Sequence, residues 1–186
     1  LFSLVDKNGF VLPLTTAQDH KKILEGEKGL NTGGMGAYTP VPSISSNKMN
    51  ELSKTFVEPI VQHLAEQGIN YQGMFYAGLI LTDKGPNLLE INVRFGDPEC
   101  QALCMRLGAQ ILDIYYSGAK NELSNLTINE ADDSAITVIV AEKGYPTKPK
   151  SGCELNDIVN TMYENALKIF HAGTYLENNF LRNTGG

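Results

Sequence analysis

Glu90, Asn92 and Arg94 stand at every second position of the run Leu88-Leu89-Glu90-Ile91-Asn92-Val93-Arg94-Phe95. Side chains on a strand alternate between faces, so an acid, an amide and a guanidinium share one face. Leu89, Ile91, Val93 and Phe95 share the other, as a core face. A hard divalent cation gives the polar face a purpose. Magnesium takes oxygen ligands, typically one or two from protein, and completes its shell with water and phosphate oxygens. A carboxylate at i and an amide oxygen at i+2 can point at one ion. Arg94, one step further along that face, suits a phosphate held by the same ion: its planar fork matches phosphate oxygens and its charge does not titrate away. Gly96-Asp97-Pro98-Glu99 then ends the strand, near where sites on sheets open. A second reading stands beside this one. Half-exposed antiparallel strands are common, and a local Glu90–Arg94 ion pair on a solvent-facing edge fits the same alternation.

The other unusual stretch is Asn31-Thr32-Gly33-Gly34-Met35-Gly36-Ala37-Tyr38. Glycines let backbone amides approach an anion closely, and successive amides can form a nest for it. No Gly-Lys-Ser/Thr follows, so this is not a phosphate loop of the nucleotide-triphosphatase kind. The strand-to-helix setting of a dinucleotide site is missing too. A plain glycine-rich turn is the alternative. Asp19, His20 and Lys21 precede it with polar groups of both signs. His20, His63 and His171 read as structural.

The elements that must position these groups follow from periodicity. Residues 1–5 and 10–16 are apolar runs around Asp6-Lys7-Asn8-Gly9, a hairpin signal. A glycine-rich loop of about twenty residues without periodicity follows, a length that tends to be functional. Residues 44–67 predict a helix capped by Ser45 or Ser46, broken or kinked at Pro59, with Gly68 after its end. Residues 73–82 and 87–95 predict a second hairpin around Asp83-Lys84-Gly85-Pro86. Residues 98–117 predict another helix with Pro98 in its first turn. Residues 118–134 read as a polar linker with a short helical stretch, and 135–141 as an apolar strand. Residues 167–182 suggest a further hairpin turning at Glu177-Asn178-Asn179. The fold class is α+β: a mostly antiparallel sheet with the 44–67 and 98–117 helices on one face, then a small β-rich piece. The expected core includes Tyr71, Phe75, Leu79, Ile91, Val93, Leu103, Leu107 and Ile111.

Composition narrows the function. The 186 residues are 42% hydrophobic and 19% charged, with 15 basic and 21 acidic side chains and a net charge of −6. That is too apolar for a disordered chain and long enough for a core. No basic stripe offers itself to nucleic acid. No apolar run nears the roughly 20 residues that span a bilayer. Cys100, Cys104 and Cys153 fit neither a zinc site nor a disulfide framework, and reduced thiols in a cytoplasmic protein are the simplest reading. The chain opens on Leu1-Phe2-Ser3-Leu4-Val5, a strand under way, and stops on the turn signal Asn183-Thr184-Gly185-Gly186. Both ends suggest a fragment of a longer protein.

Gln18-Asp19-His20-Lys21, the 31–38 loop, Asn92-Val93-Arg94-Phe95-Gly96-Asp97-Pro98-Glu99, Gly144-Tyr145-Pro146 and Phe170-His171-Ala172-Gly173-Thr174 occur in this order. Together they resemble the phosphoribosylamine–glycine ligase family of the ATP-grasp superfamily, over essentially the whole chain. The resemblance implies an ATP-dependent ligase of purine biosynthesis. ATP phosphorylates the carboxylate of glycine. The amine of 5-phosphoribosylamine then displaces phosphate to give glycinamide ribonucleotide, ADP and phosphate. It implies Mg2+ or Mn2+ on Glu90 and Asn92, and Arg94 as the catalytic group at the transferring phosphoryl. Substrate contacts would come from Asp19, Lys21, Asn31, Gly33, Gly34, Gly36 and Asp97. Residues 1–120 would be the ATP-grasp subdomain with the metal strand, and 121–186 a linker and partial C-terminal domain. The remaining domains of the parent chain, with the lid lysines and adenine pocket, would be this segment's partners, and alone it would be inactive. Another ATP-grasp carboxylate–amine ligase and a non-catalytic nucleotide- or metal-binding module are the alternatives. One departure is plain: many superfamily members carry a metal-binding acid on the preceding strand, and Tyr76-Ala77-Gly78-Leu79-Ile80 has none.

Overall fold

A computed structural model describes residues 1–129, 131–164 and 167–185. Gly186, the end of the terminal turn signal, lies outside them. In chain order the elements are β1 (Phe2–Val5), β2 (Val11–Thr15), β3 (Gln18–Asp19), β4 (Lys22–Leu24), β5 (Lys28–Asn31), β6 (Gly36–Thr39), α1 (Ser46–Phe56), α2 (Glu58–Glu66), β7 (Gly73–Thr82), β8 (Gly85–Asn92), α3 (Glu99–Leu107), α4 (Gln110–Lys120), a 3₁₀ turn (Leu123–Asn125), β9 (Ala135–Val138), α5 (Asn156–Glu164), β10 (Thr174–Glu177) and β11 (Phe180–Asn183). They form two compact units, Leu1–His20 with Gly36–Val138, and Lys21–Met35 with Ile139–Gly186.

The first unit is built on an antiparallel sheet of order β2-β1-β7-β8. The β1–β2 turn closes as expected, because the Asp6 carboxylate accepts the amides of Asn8 at 2.9 Å and Phe10 at 3.2 Å. The central strands are apolar on both sides. Phe75 and Ala77 pack with Val5, Met49, Leu52 and Val61 from the α1 and α2 side. Met74 and Tyr76 pack with Phe2, Leu4, Leu103, Leu107 and Ile114 from the α3 and α4 side. The helices therefore cover opposite faces of the sheet, not one face. All four residues of β1, the polar Ser3 included, are buried, as expected for a central strand covered on both faces.

Both helical segments are split. Ser45 Oγ accepts the Lys48 amide at 3.2 Å and starts α1; Val57 separates it from α2, with Pro59 in the first turn of α2 where a missing N–H costs nothing. The predicted 98–117 helix breaks at Gly108, whose φ of +55° suits glycine. The polar segment after α4 is no loose linker. Leu123 is fully buried, and Leu126 and Ile128 pack on the α3–α4 cluster. Arg106 of α3 donates to the carbonyls of Ala131 at 2.8 Å and Asp133 at 3.0 Å. Backbone contacts thus put residues 121–138 with the first unit and residues 21–35 with the second.

The stretch expected to be one long irregular loop holds β4, β5 and β6. Within the first unit β6 pairs with β3 on one edge and with β9 on the other. In the second unit β4 and β5 form a hairpin, and so do β10 and β11. Asn178 and Asn179 turn the latter with φ of +50° and +67°, the conformation that suits a tight hairpin turn. Among the described residues no helix is long and apolar enough to cross a membrane.

Phe75, Leu103 and Leu107 are buried, and Tyr71, Leu79 and Ile111 pack against the two clusters. Ile91 and Val93 are not core: they are 42% and 70% exposed. The reason is position. β8 is an edge strand and stops at Asn92, so Val93 already lies in a bend. In this chain Leu103→Ala should cost about 2–5 kcal/mol in urea unfolding, while Val93→Ala should stay within about 0.5 kcal/mol. A Cβ on Gly36 would fall 2.7 Å from the Thr137 carbonyl oxygen across the β6–β9 pair. Gly36→Ala should therefore cost about 1–3 kcal/mol in the same measurement.

Candidate functional site

The β7–β8 pairing decides which side chains meet. Asn92 lies opposite Tyr76 and Glu90 opposite Gly78; the register then slips, so that Leu88 faces Leu79. Leu89 is the extra residue of this bulge and is 67% exposed. The slip lies before Glu90, so Glu90 and Asn92 keep a common face with Tyr76 and Gly78. Glu90 is exposed and Asn92 half-buried. Gly78 makes room for the acid: a Cβ there would meet Glu90 Cγ at 2.8 Å.

Arg94 is another matter. The strand ends at Asn92, so alternation does not extend to residue 94. Arg94 is exposed, and its Nη1 donates to the Phe95 carbonyl at 2.8 Å. Asp97 is exposed and accepts Gln101 Nε2 at 2.9 Å.

Sequence reasoning missed two neighbours of the pair. Glu99 opens α3 and is 3% exposed. Its Oε1 accepts the Tyr76 hydroxyl at 3.1 Å. Its carboxylate also lies on Gly96, where a Cβ would stand 2.4 Å from Oε2. Burial, then the negative charges of Glu99 and Asp19, the hydrogen bond to Glu99 and the charge of Glu90, hold the Tyr76 hydroxyl well above the ordinary phenol range. Tyr76 therefore stays a proton donor. The only sequence signal was Glu99's place at the close of the Gly-Asp-Pro-Glu run; nothing local links it to position 76.

Asp19 is half-buried in β3 opposite Ala37 of β6, and the His20 amide donates to the Gly36 carbonyl at 2.9 Å. Gly36 is buried opposite Val138, so close strand packing already explains its missing side chain. In the second unit Asn31 is exposed at the end of β5, opposite Lys22. The carbonyl of Lys21 accepts both the amide of Thr32 at 2.8 Å and its hydroxyl at 2.9 Å. The Gly34 amide donates to Thr32 Oγ1 at 3.1 Å, and the Gly33 amide to Tyr145 Oη at 3.2 Å. Both amides are already engaged, Gly34 within the loop and Gly33 by Tyr145, so an anion nest here would first have to break those bonds. Tyr145 is presented by a tight turn at Gly144, whose carbonyl accepts the amides of Thr147 and Lys148.

Among the described residues no three or more His, Cys, Asp or Glu side chains are grouped to hold a metal. Cys100 and Cys104 lie one helical turn apart with sulfurs 3.9 Å from each other, and burial and the neighbouring thiol push Cys100 up to about 12. It is a protonated thiol near neutral pH. The chemistry left to the face is that of one exposed carboxylate and one half-buried amide, at alternate positions of the same strand. This donor set suits a hard cation that keeps water and phosphate in most of its shell.

The family model described as phosphoribosylglycinamide synthetase, ATP-grasp (A) domain, matches residues 1–100. A phosphoribosylamine–glycine ligase of Rhizobium meliloti is 43% identical over 95% of this chain, which is 41% of that protein. A chloroplastic phosphoribosylamine–glycine ligase of Arabidopsis thaliana is 39% identical over 95% of this chain and 34% of its own length. The crystal structure of a Thermotoga maritima phosphoribosylamine–glycine ligase superposes with a TM-score of 0.79 at 27% identity, over the whole of this chain and 44% of that one. The chain thus spans less than half the length of these relatives. The family match agrees with a sheet edge that carries an acid and an amide on one face, and the chain belongs to the phosphoribosylglycinamide synthetase ATP-grasp family.

Proposed function

We propose that this chain is the part of an ATP-dependent phosphoribosylamine–glycine ligase that carries its metal strand. The carrying observation is that Glu90, exposed, and Asn92, half-buried, share one face of the edge strand β8. Mg2+ or Mn2+ would be held by these two oxygens; such an ion supplies neutralisation of phosphate charge during phosphoryl transfer. The overall reaction joins glycine to 5-phosphoribosylamine through a glycyl phosphate, with ADP and phosphate as the other products. The nucleophiles are the glycine carboxylate and then the amine, so the protein's task is to bind, orient and exclude water.

Arg94 is the group for the transferring phosphoryl. Its guanidinium rests on the exposed bend after Asn92; Nη1 donates to the Phe95 carbonyl, and a guanidinium has five N–H donors, so others can meet an anion. Asp97, Asp19, Lys21 and Asn31 are the substrate contacts, together with the loop of Gly33, Gly34 and Gly36. Asp19 and Asp97 supply acceptors for an amine, and Lys21 a cation for phosphate or carboxylate. By the resemblance, residues 1–120 would correspond to the ATP-grasp subdomain and residues 121–186 would lead into a C-terminal domain, although residues 121–138 pack with the first unit and residues 21–35 with the second. The missing majority of the relatives' length, which supplies the adenine pocket and lid, is this segment's partner. The cytoplasm, where its three thiols stay reduced, is its setting.

In the full-length protein, Glu90→Gln and Asn92→Ala should each weaken Mn2+ binding, followed by electron paramagnetic resonance, by at least about tenfold. Unchanged binding in both would remove the metal from this face. The 186-residue chain alone should release no ADP with glycine, phosphoribosylamine and ATP; measured turnover would show that the missing segments are dispensable.

A further inference from the structure

We propose that Tyr76 and Glu99 are positioning residues: their hydrogen bond braces the turn of residues 93–98 that presents Arg94 and Asp97 beside Glu90 and Asn92. The inference rests on the functional reading above, but its geometry stands by itself. Six residues separate the end of β8 from the start of α3, and none belongs to a strand or helix. They include both polar groups assigned to the reacting phosphoryl and the substrate. A segment without a ladder needs other anchors if its side chains are to be held in a reactive geometry.

Besides the Gln101 bond to the Asp97 carboxylate, three anchors hold the turn. Phe95 packs on Phe2 and Tyr115, with ring centroids 6.1 and 6.2 Å apart. The Cys100 amide donates to the Gly96 carbonyl at 2.9 Å. The third is the carboxylate of Glu99, laid on Gly96 and tied to Tyr76 at 3.1 Å. This last anchor leads straight back to the metal face, because Tyr76 is the cross-strand partner of Asn92. The path from Asn92 across the sheet to Tyr76, through the hydroxyl to Glu99, and onto Gly96 closes a ring around the turn.

Tyr76 is well made for this. Its ring is stacked on Phe2 at 4.6 Å and is 9% exposed, so its hydroxyl has a fixed place. The bond is buried, and a buried donor–acceptor pair is costly to separate. An ordinary structural role for Glu99 exists as well: an acid in the first turn favours the helix dipole. The two roles differ in what Tyr76→Phe does, since that change keeps the ring and the helix acid and removes only the bond.

The test uses the full-length protein and two readouts. Tyr76→Phe and Glu99→Ala should each lower kcat about tenfold with KM for ATP changed less than about threefold, the size expected for losing one buried hydrogen bond that orients reacting groups. Glu99→Gln, which keeps an oxygen acceptor for the phenol, should stay within about threefold of wild-type kcat. Amide hydrogen exchange at residues 93–97 should quicken about tenfold in Tyr76→Phe, with α3 and the central strands unchanged. Unaltered exchange there overturns the brace whatever the activity does. Wild-type kcat in both Tyr76→Phe and Glu99→Ala overturns its role in the reaction. If the wild-type protein is not a ligase, the functional reading falls, and the exchange result alone decides whether the brace exists.

Discussion

The antiparallel pairing of β7 with β8 is the constraint from which the candidate site derives. β7 is a central strand with packed layers on both faces, so its course is set by burial of Met74 and Tyr76 on one side and Phe75 and Ala77 on the other. β8 has no partner on its outer edge among the described strands. Its side chains go where β7 puts them. Opposite Tyr76 and Gly78 it places Asn92 and Glu90; the bulge at Leu89 absorbs the mismatch between this pairing and the one nearer the turn. A slip of one residue beyond that bulge would move the acid and the amide to the other face.

Small residues do the complementary work. Gly78 clears space for the Glu90 side chain, Gly96 receives the Glu99 carboxylate, and Gly36 lets β9 approach β6. At each of these positions the reason for glycine is close approach by another group and not a left-handed backbone. The Gly33-Gly34 pair differs again, since its amides are spent on Thr32 and Tyr145. Glycine richness in this loop reads as local architecture first; any ligand contact there competes with hydrogen bonds already made.

Much of the framework was legible from the chain. The hairpins at 2–15 and 73–92, the Ser45 cap, the break near Pro59 and the Asn178-Asn179 turn all depend on residues adjacent in sequence. Such signals survive because caps and turns are decided within a few residues. The errors have a common cause. Val93 and Ile91 looked like core because they alternate with polar residues, yet alternation does not tell an edge strand from a central one. The polar stretch around Leu123 looked like a linker because its few apolar residues carry no period. It packs all the same: Leu123, Leu126 and Ile128 lie against the cluster of α3 and α4, and Arg106 of α3 holds the carbonyls of Ala131 and Asp133 further on.

Residue types and spacing by themselves determined the oxygen pair at 90 and 92, the glycines around it, and the family signatures running from Gln18 to Thr174. Those are short-range facts, written in the order of the chain. Tertiary structure alone decided that the strand stops before Arg94, that the helices cover opposite faces of the sheet, and that Tyr76 reaches Glu99. Each of these depends on two segments brought together by burial of apolar surface. That force has no direction of its own, and so its outcome cannot be read from either segment separately.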